Sequence, residues 1–253
     1  MHWILALVLI SSGCDRAFGL HRGDTADAPE PDVALDAKGH DDDGDGFDDA
    51  IDPCPADHGD TADADGDGVG NLCDPSSTPR DHAILFDTFA APAAAWVSDS
   101  GTWRFGGDAI ATDSVGISAL IHQDVTPIDH ATLEVTFDGT VTVNSYVGPH
   151  LRFESGEDIS CLLNIGNGNF PSIHVFYGSA FESSIAYPGT GPVHLSISHL
   201  ASDNTFRCRA RRDNELPTDL LYPLTLTTRT TSLAIAVTNT NATVSSTLVL
   251  ETR

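Results

Sequence analysis

Two short stretches of this 253-residue chain carry oxygen ligands at a spacing suited to a hard cation. Residues 41–52 read Asp41-x-Asp43-x-Asp45-Gly46-Phe47-x-Asp49-x-x-Asp52, and residues 63–74 read Asp63-x-Asp65-x-Asp67-Gly68-Val69-x-Asn71-x-x-Asp74. Both place side-chain oxygens at loop positions 1, 3, 5, 9 and 12, with glycine at 6. A calcium-sized dication takes roughly six to eight oxygens, and alternate residues of a tightly curved loop point at one centre. Gly46 and Gly68 permit the sharp turn, and the carbonyls of Phe47 and Val69 would supply the oxygen at position 7. Carboxylates this close repel one another without a cation, so Ca2+ is expected as a structural requirement as well as a ligand. Pro53 and Pro55 close the first stretch and Pro75 follows the second, so no amphipathic helix flanks either. That argues against a paired-helix sensor.

The charge of the chain follows from these stretches. There are 37 acids against 12 Lys and Arg, a formal charge of −25, and residues 21–80 hold 18 of those acids against three bases. Nothing here would neutralise a run of phosphates, which excludes nucleic acid as a partner. Residues 81–253 hold another 18 acids against eight arginines, an ordinary solubilising charge over nearly three times the length.

The amino terminus indicates where such a protein works. Trp3 to Ile10 is an apolar run too short to span a bilayer and the right size for the core of an export signal. Ser11-Ser12-Gly13-Cys14 then resembles a bacterial lipobox, which implies cleavage after residue 13, lipidation of Cys14 and membrane attachment by lipid alone. An ordinary secretory signal is the alternative. Localisation is accordingly read as exported, either lipid-anchored in the cell envelope (outer membrane, cell surface or periplasm) or secreted. Residues 14–38, rich in Ala, Asp and Pro without apolar periodicity, read as a disordered acidic linker. With Cys14 set aside, two cysteines fall in the acidic segment (Cys54, Cys73) and two beyond it (Cys161, Cys208). In an oxidising compartment one disulfide per segment is the economical assignment.

The twin acidic stretches, each ending near a cysteine, resemble thrombospondin type 3 repeats over roughly residues 41–75. Asn71 stands where the second unit of that family usually has Asp. The resemblance implies a segment with almost no apolar core, wrapped around calcium ions, with successive repeats joined by a disulfide; Cys54 to Cys73 fits that scheme. The repeats are assigned to residues 39–76.

From about residue 82 onward, period-2 alternation dominates and no helix is indicated. Leu133/Val135/Phe137, Ile159/Cys161/Leu163/Ile165, Ile173/Val175/Tyr177, Val193/Leu195/Ile197, Phe206/Cys208/Ala210 and Leu233/Ile235/Val237 each mark one apolar face. Ile117/Ala119/Ile121, Val141/Val143 and Leu248/Leu250 are read in the same way. The predicted class is mainly β, with a two-sheet antiparallel β-sandwich (jelly roll) over 81–253 behind irregular repeats of little regular structure. Cys161 and Cys208 lie on the apolar phase of their strands, as a buried disulfide or as two buried thiols. Leu85-Phe86-Asp87-Thr88-Phe89, then Trp96, then Gly101-Thr102-Trp103 with Gly106-Gly107 resembles the opening of concanavalin A-like lectin/glucanase domains.

Candidate chemistry on that sandwich is thin. Glu134 and Asp138 lack the alternating carboxylate spacing of a glucanase strand, and no nucleophile elbow, zinc-helix or phosphate-loop motif occurs, so no catalytic residue is assigned and no enzyme is expected. Six histidines (His122, His130, His150, His174, His194, His199) and the row Arg207, Arg209, Arg211 with Arg212 read as solvated strand-face residues. The arginines alternatively form a patch for acidic glycans or for the domain's own carboxylates. Trp96, Tyr146, Phe170 and Tyr187 are the aromatics that would stack on sugar rings if exposed. The expected activity is adhesion, or binding of glycans or of surface or matrix proteins, by a sandwich held on a calcium-stiffened stalk. The alternatives are a structural envelope component and a degenerate glycoside hydrolase.

Overall fold

The computed structural model describes residues 34–35, 40–59, 62–76, 81–90, 95–113, 116–122, 126–138, 145–165, 171–187, 192–200, 204–212, 215–226 and 228–252. The expected signal segment and Cys14 lie outside the described residues, as do Val141, Val143 and Phe170. Among the described residues no helix is long and apolar enough to cross a membrane.

Two sheets form the body. The nine-stranded sheet runs β1 (Ala34–Leu35), β2 (Asp81–Asp87), β16 (Asn241–Thr252), β7 (Ala131–Asp138), β12 (Val193–Leu200), β13 (Thr205–Arg211), β14 (Thr218–Pro223), with β4 (Trp103–Phe105) on β5 (Ile110–Asp113), which pairs with β16. The seven-stranded sheet runs β11 (Ala180–Ala186), β10 (Pro171–Tyr177), β9 (Asp158–Ile165), β8 (Tyr146–Phe153), β15 (Thr230–Thr238), β6 (Ile117–His122), β3 (Trp96–Ser100). The pairings are antiparallel except for β1 on β2, where part of the stretch expected to be a linker joins the sheet edge.

The alternating apolar residues meet between the sheets. Leu133, Val135, Leu195, Ile197 and Phe206 from one sheet pack with Leu151, Ile159, Ile173, Val175 and Ile235 from the other, all without exposure to solvent. Each such side chain contributes about 1.5–3 kcal/mol of hydrophobic stabilisation. The Cys161–Cys208 disulfide joins β9 to β13, bridging the two sheets through the core. Its sequence separation of 47 corresponds to about 4 kcal/mol of chain-entropy stabilisation. Two disulfides fit an oxidising environment.

The Leu85–Phe89 and Trp96 signature has a local cause. Asp87 accepts the Phe89 amide at 2.8 Å and the Trp96 indole N–H at 2.9 Å, while Phe89 and Trp96 pack with ring centroids 5.8 Å apart.

Two strand phases differ from expectation. On β6 it is Ser118 and Leu120 that face the core, opposite Val237 and Ile235 of β15, so Ala119 and Ile121 point outward. The short run Ile-Ser-Ala-Leu-Ile is apolar on both parities, and only strand pairing chooses between them. Leu248 and Leu250 are buried on the opposite side of their sheet: a register shift at Val249/Leu250 accompanies a second, smaller cluster there.

That second cluster explains where residues 40–76 go. Cys54, Val69 and Cys73, with Ala56 and Leu72 beside them, pack against Phe86, Leu248 and Leu250 on the outer face of the nine-stranded sheet. Instead of standing off the sandwich as a stalk, the acidic repeats lie on it.

Candidate functional site

The two acidic loops have one architecture, built twice. Asp41 accepts the amides of Gly44 and Gly46 at 2.9 and 3.0 Å, and Asp63 accepts those of Gly66 and Gly68 at 2.7 and 2.9 Å. Gly46 and Gly68 sit at φ +98° and +97°, a backbone state that side chains disfavour, which is why the sixth position is glycine in both. Asp49 ties back to the Asp42 amide at 2.9 Å, as Asn71 does to the Ala64 amide at 3.0 Å. These ninth-position residues therefore hold the start of each loop, and Asp49 also meets His40 Nδ1 at 3.0 Å. The Cys54–Cys73 disulfide links the two units.

The loop interiors bring carboxylate oxygens together. Oxygens of Asp41, Asp43 and Asp45 lie within 4.8 Å of one another, as do those of Asp63, Asp65 and Asp67. Asp43 Oδ2 and both Asp65 oxygens are buried with no hydrogen-bond partner among the described residues. Burial, with Asp45, Asp52 and Asp41 close by, pushes Asp43 up to about 7. Burial first, and then Asp45, Asp49 and Asp57, pushes Asp52 up to about 6. Asp74 is raised by burial and by Asp67 and Asp65. The twelfth-position carboxylates Asp52 and Asp74 thus share the fields of the third and fifth. An all-oxygen donor set, with Asp43 Oδ2 and both Asp65 oxygens buried and unpaired, fits a hard dication and does not suit a soft one. The Phe47 side chain is exposed while Val69 is buried in the smaller apolar cluster.

Between the loops and the sheet is a buried ionic knot. Arg211, 1% exposed, donates through Nη1 to Asp57 of the inter-loop segment and through Nη2 to Glu134 of β7 at 2.7 Å. His194 of β12 stands 3.7 Å from each carboxylate and 3.1 Å from the Thr136 hydroxyl. Burial opposes the charge on Arg211, but Glu134 and Asp57 outweigh it and raise the guanidinium. Asp57, Glu134 and His194 have a spacing that could hold a metal ion, yet the guanidinium already supplies the cation there.

The reading of the arginine row as solvated fails at Arg211 for that reason. Arg209 keeps a half-open bidentate pair with Asp219 at 2.7 and 3.0 Å. Burial first, then Arg209, lowers Arg207 to about 10. The histidines divide likewise: His194 and His199 are buried, His199 stacking on Phe206 with centroids 4.5 Å apart. No sequence motif marked Asp57. It is 154 residues from its guanidinium partner, and local patterning carries no signal over that distance.

The outer face of the seven-stranded sheet is different. Tyr146 of β8, His174 and Phe176 of β10 and Phe181 of β11 form a continuous aromatic surface. Tyr146 meets Phe176 at 5.7 Å, Phe176 meets Phe181 at 5.7 Å, and His174 stacks on Phe176 at 6.2 Å with planes 12° apart. Phe181 is 55% exposed. Desolvation lowers the His174 pKa from its ordinary value. Of the described aromatics singled out from sequence, Trp96, Tyr146 and Tyr187, Tyr146 alone belongs here. Trp96 and Tyr187 are core residues, Tyr187 also lying under the Arg212 guanidinium at 5.9 Å.

The sequence matches no protein-family model and no curated protein. Solved structures do resemble the fold. The CBM2 module of the evolved Dit of Lactobacillus casei BL23 phage J-1 aligns at a TM-score of 0.54 with 8% identity, covering 68% of this chain and 96% of that one. SCLam, a non-specific endo-β-1,3(4)-glucanase of family GH16, aligns at 0.52 with 9% identity, covering 71% and 95%. A legume lectin-like domain from Entamoeba histolytica aligns at 0.51 with 12% identity, covering 63% and 91%. The body of the chain therefore has the lectin/glucanase type of sandwich, as its opening motif led one to expect. At these identities the likeness is one of fold.

Proposed function

We propose that this protein is an exported carbohydrate-binding module whose thrombospondin type 3-like repeats bind Ca2+ and brace one side of the sandwich while the other side engages a glycan. The observation that carries the reading is the aromatic surface of Tyr146, His174, Phe176 and Phe181, left open on the outer face of the seven-stranded sheet. Aromatic rings on a flat sheet offer apolar faces on which pyranose rings stack, and nothing else on that face requires four of them together. Several proteins of similar fold are named as lectin-like, carbohydrate-binding or glucan-hydrolysing, which supports a saccharide as the ligand class.

Binding without hydrolysis is favoured by the fate of Glu134. It is tied to Arg211 beneath the repeats, where neither water nor a sugar reaches it. Cys14 is the residue at which a lipid anchor would attach such a module to the envelope.

Titration calorimetry of the calcium-saturated chain against soluble oligosaccharides, chosen from a glycan array, tests the proposal. Phe176→Ala and Phe181→Ala are each expected to weaken binding by about tenfold. Phe181→Ala should leave stability within about 0.5 kcal/mol. Undiminished glycan affinity in both variants would refute the platform. Self-association that is lost in the same variants, without sugar binding, would favour an envelope-assembly role.

A further inference from the structure

We propose that Asp81, the first residue of β2 and no part of either repeat, is a ligand of the cation held by the second loop, so that ion binding clamps the repeats to the sandwich. The inference rests on the calcium reading of the loops.

Asp81 has no exposure to solvent. Its Oδ1 accepts the Thr252 hydroxyl from the neighbouring strand β16, whereas Oδ2 has no hydrogen-bond partner among the described residues. Its amide donates to Asp67 Oδ2 at 2.5 Å, which sets the start of the strand against the fifth position of the loop. The Asp74 carboxylate, at the twelfth position, acts on the Asp81 carboxylate, and the Asp74 amide N–H donates to the Gly70 carbonyl at 2.8 Å. Both Asp65 oxygens are buried and unpartnered on the same loop.

Carboxylates in mutual contact and out of water are costly unless a cation or a proton stands between them. Arg207 feels the fields of Asp74 and Asp81, but it forms no ion pair with either among the described residues. A dication bounded by Asp67, Asp74 and Asp81 supplies that charge and takes an oxygen from outside the loop, toward the six to eight it requires. The first loop differs: Asp57 of the inter-loop segment is taken up by Arg211.

The clamp is tested on the full chain by stripping calcium with a chelator and titrating Ca2+ by calorimetry. Wild type is expected to show two binding events. Asp81→Asn, which keeps hydrogen bonding to Thr252, should weaken one event by roughly ten- to hundredfold and leave the other unchanged. Thr252→Val removes the hydroxyl partner but not the carboxylate, and should move neither affinity by more than about twofold. Should Asp81→Asn not fold, Asp81→Glu, which keeps the charge and displaces the oxygens by a methylene, is expected to weaken the same event. Wild-type binding with both affinities unchanged in these Asp81 variants overturns the clamp alone. A wild-type chain that takes up no Ca2+ overturns the calcium reading and the clamp with it.

Discussion

The two outer faces of the sandwich solve opposite problems with the same strand geometry. On the nine-stranded sheet, the face turned away from the core carries Glu134, His194 and Arg211, and the repeats bury all three. On the seven-stranded sheet the equivalent face carries Tyr146, His174, Phe176 and Phe181 and stays open. Charge is thus concentrated where the chain covers it with a partner of its own, and aromatic surface where a partner from outside would have to cover it. Burying ions gains little net stability, but removing one member of a satisfied set leaves a charge without water, so such a knot specifies one docking position. An open aromatic face costs hydrophobic exposure and is retained when something binds it.

The covered face should lose most when any divalent cation bound by the loops is removed. If the repeats need the ion to hold their shape, chelation should release them from the sheet and expose Phe86, Leu248 and Leu250. Each site held at a thousand times its dissociation constant contributes about 4 kcal/mol and a chelator strips both loops together, so the fall in melting temperature with excess chelator should be the largest effect measured on this chain. A melting temperature that ignores chelation would mean that the covered face is held by the ionic knot and the apolar cluster alone.

Next in size is Arg211→Met, which leaves Asp57 and Glu134 facing each other without a cation. A loss of about 3–5 kcal/mol is expected in denaturant unfolding. The neighbouring Arg209→Ala, whose partner Asp219 is one-third exposed, should cost about 1 kcal/mol or less. Equal losses at the two positions would mean that burial does not distinguish them.

The open face offers a smaller test through His150, lowered to about 4 mainly by burial, from an ordinary value of 6.5. In the unfolded chain this ring takes up a proton as pH falls past 6.5, and in the folded chain it does so only near 4. Its contribution is therefore fully present above 6.5 and is lost as pH falls through that window, by up to about 1.4 kcal/mol per pH unit. His150→Gln should flatten that part of the stability profile, and an unchanged acid limb would show that the ring is already solvated.

Much of the covered side was legible in the sequence as far as its parts went. The loop spacing, the glycines and the Cys54–Cys73 pairing could be read because they are local, each fixed within about twenty residues by turn geometry and ligand chemistry. The sandwich was legible through alternation, as with Leu133, Val135 and Phe137. Where a strand is apolar on both parities, as at Ile117 to Ile121, alternation is silent and the partner strand decides. The burial of Arg211 leaves no local signal, because a charged residue alternating with apolar ones has the same pattern whether its face meets water or another segment. Phe176 and Phe181 carry no distinguishing sequence pattern, because aromatic residues near turns look alike in a core and on a platform.

What the sequence determined by itself is chemistry that acts over short separations: oxygen donors on a tight loop, a strand period of two, cysteines in an oxidising compartment. What only the tertiary structure decided is which surface each of these faces. Asp57 meets Arg211 across 154 residues and Asp81 meets Thr252 across 171. Such contacts depend on the packing of whole layers, since the free energy that selects them comes from area and charge removed from water together, which local residue order does not encode.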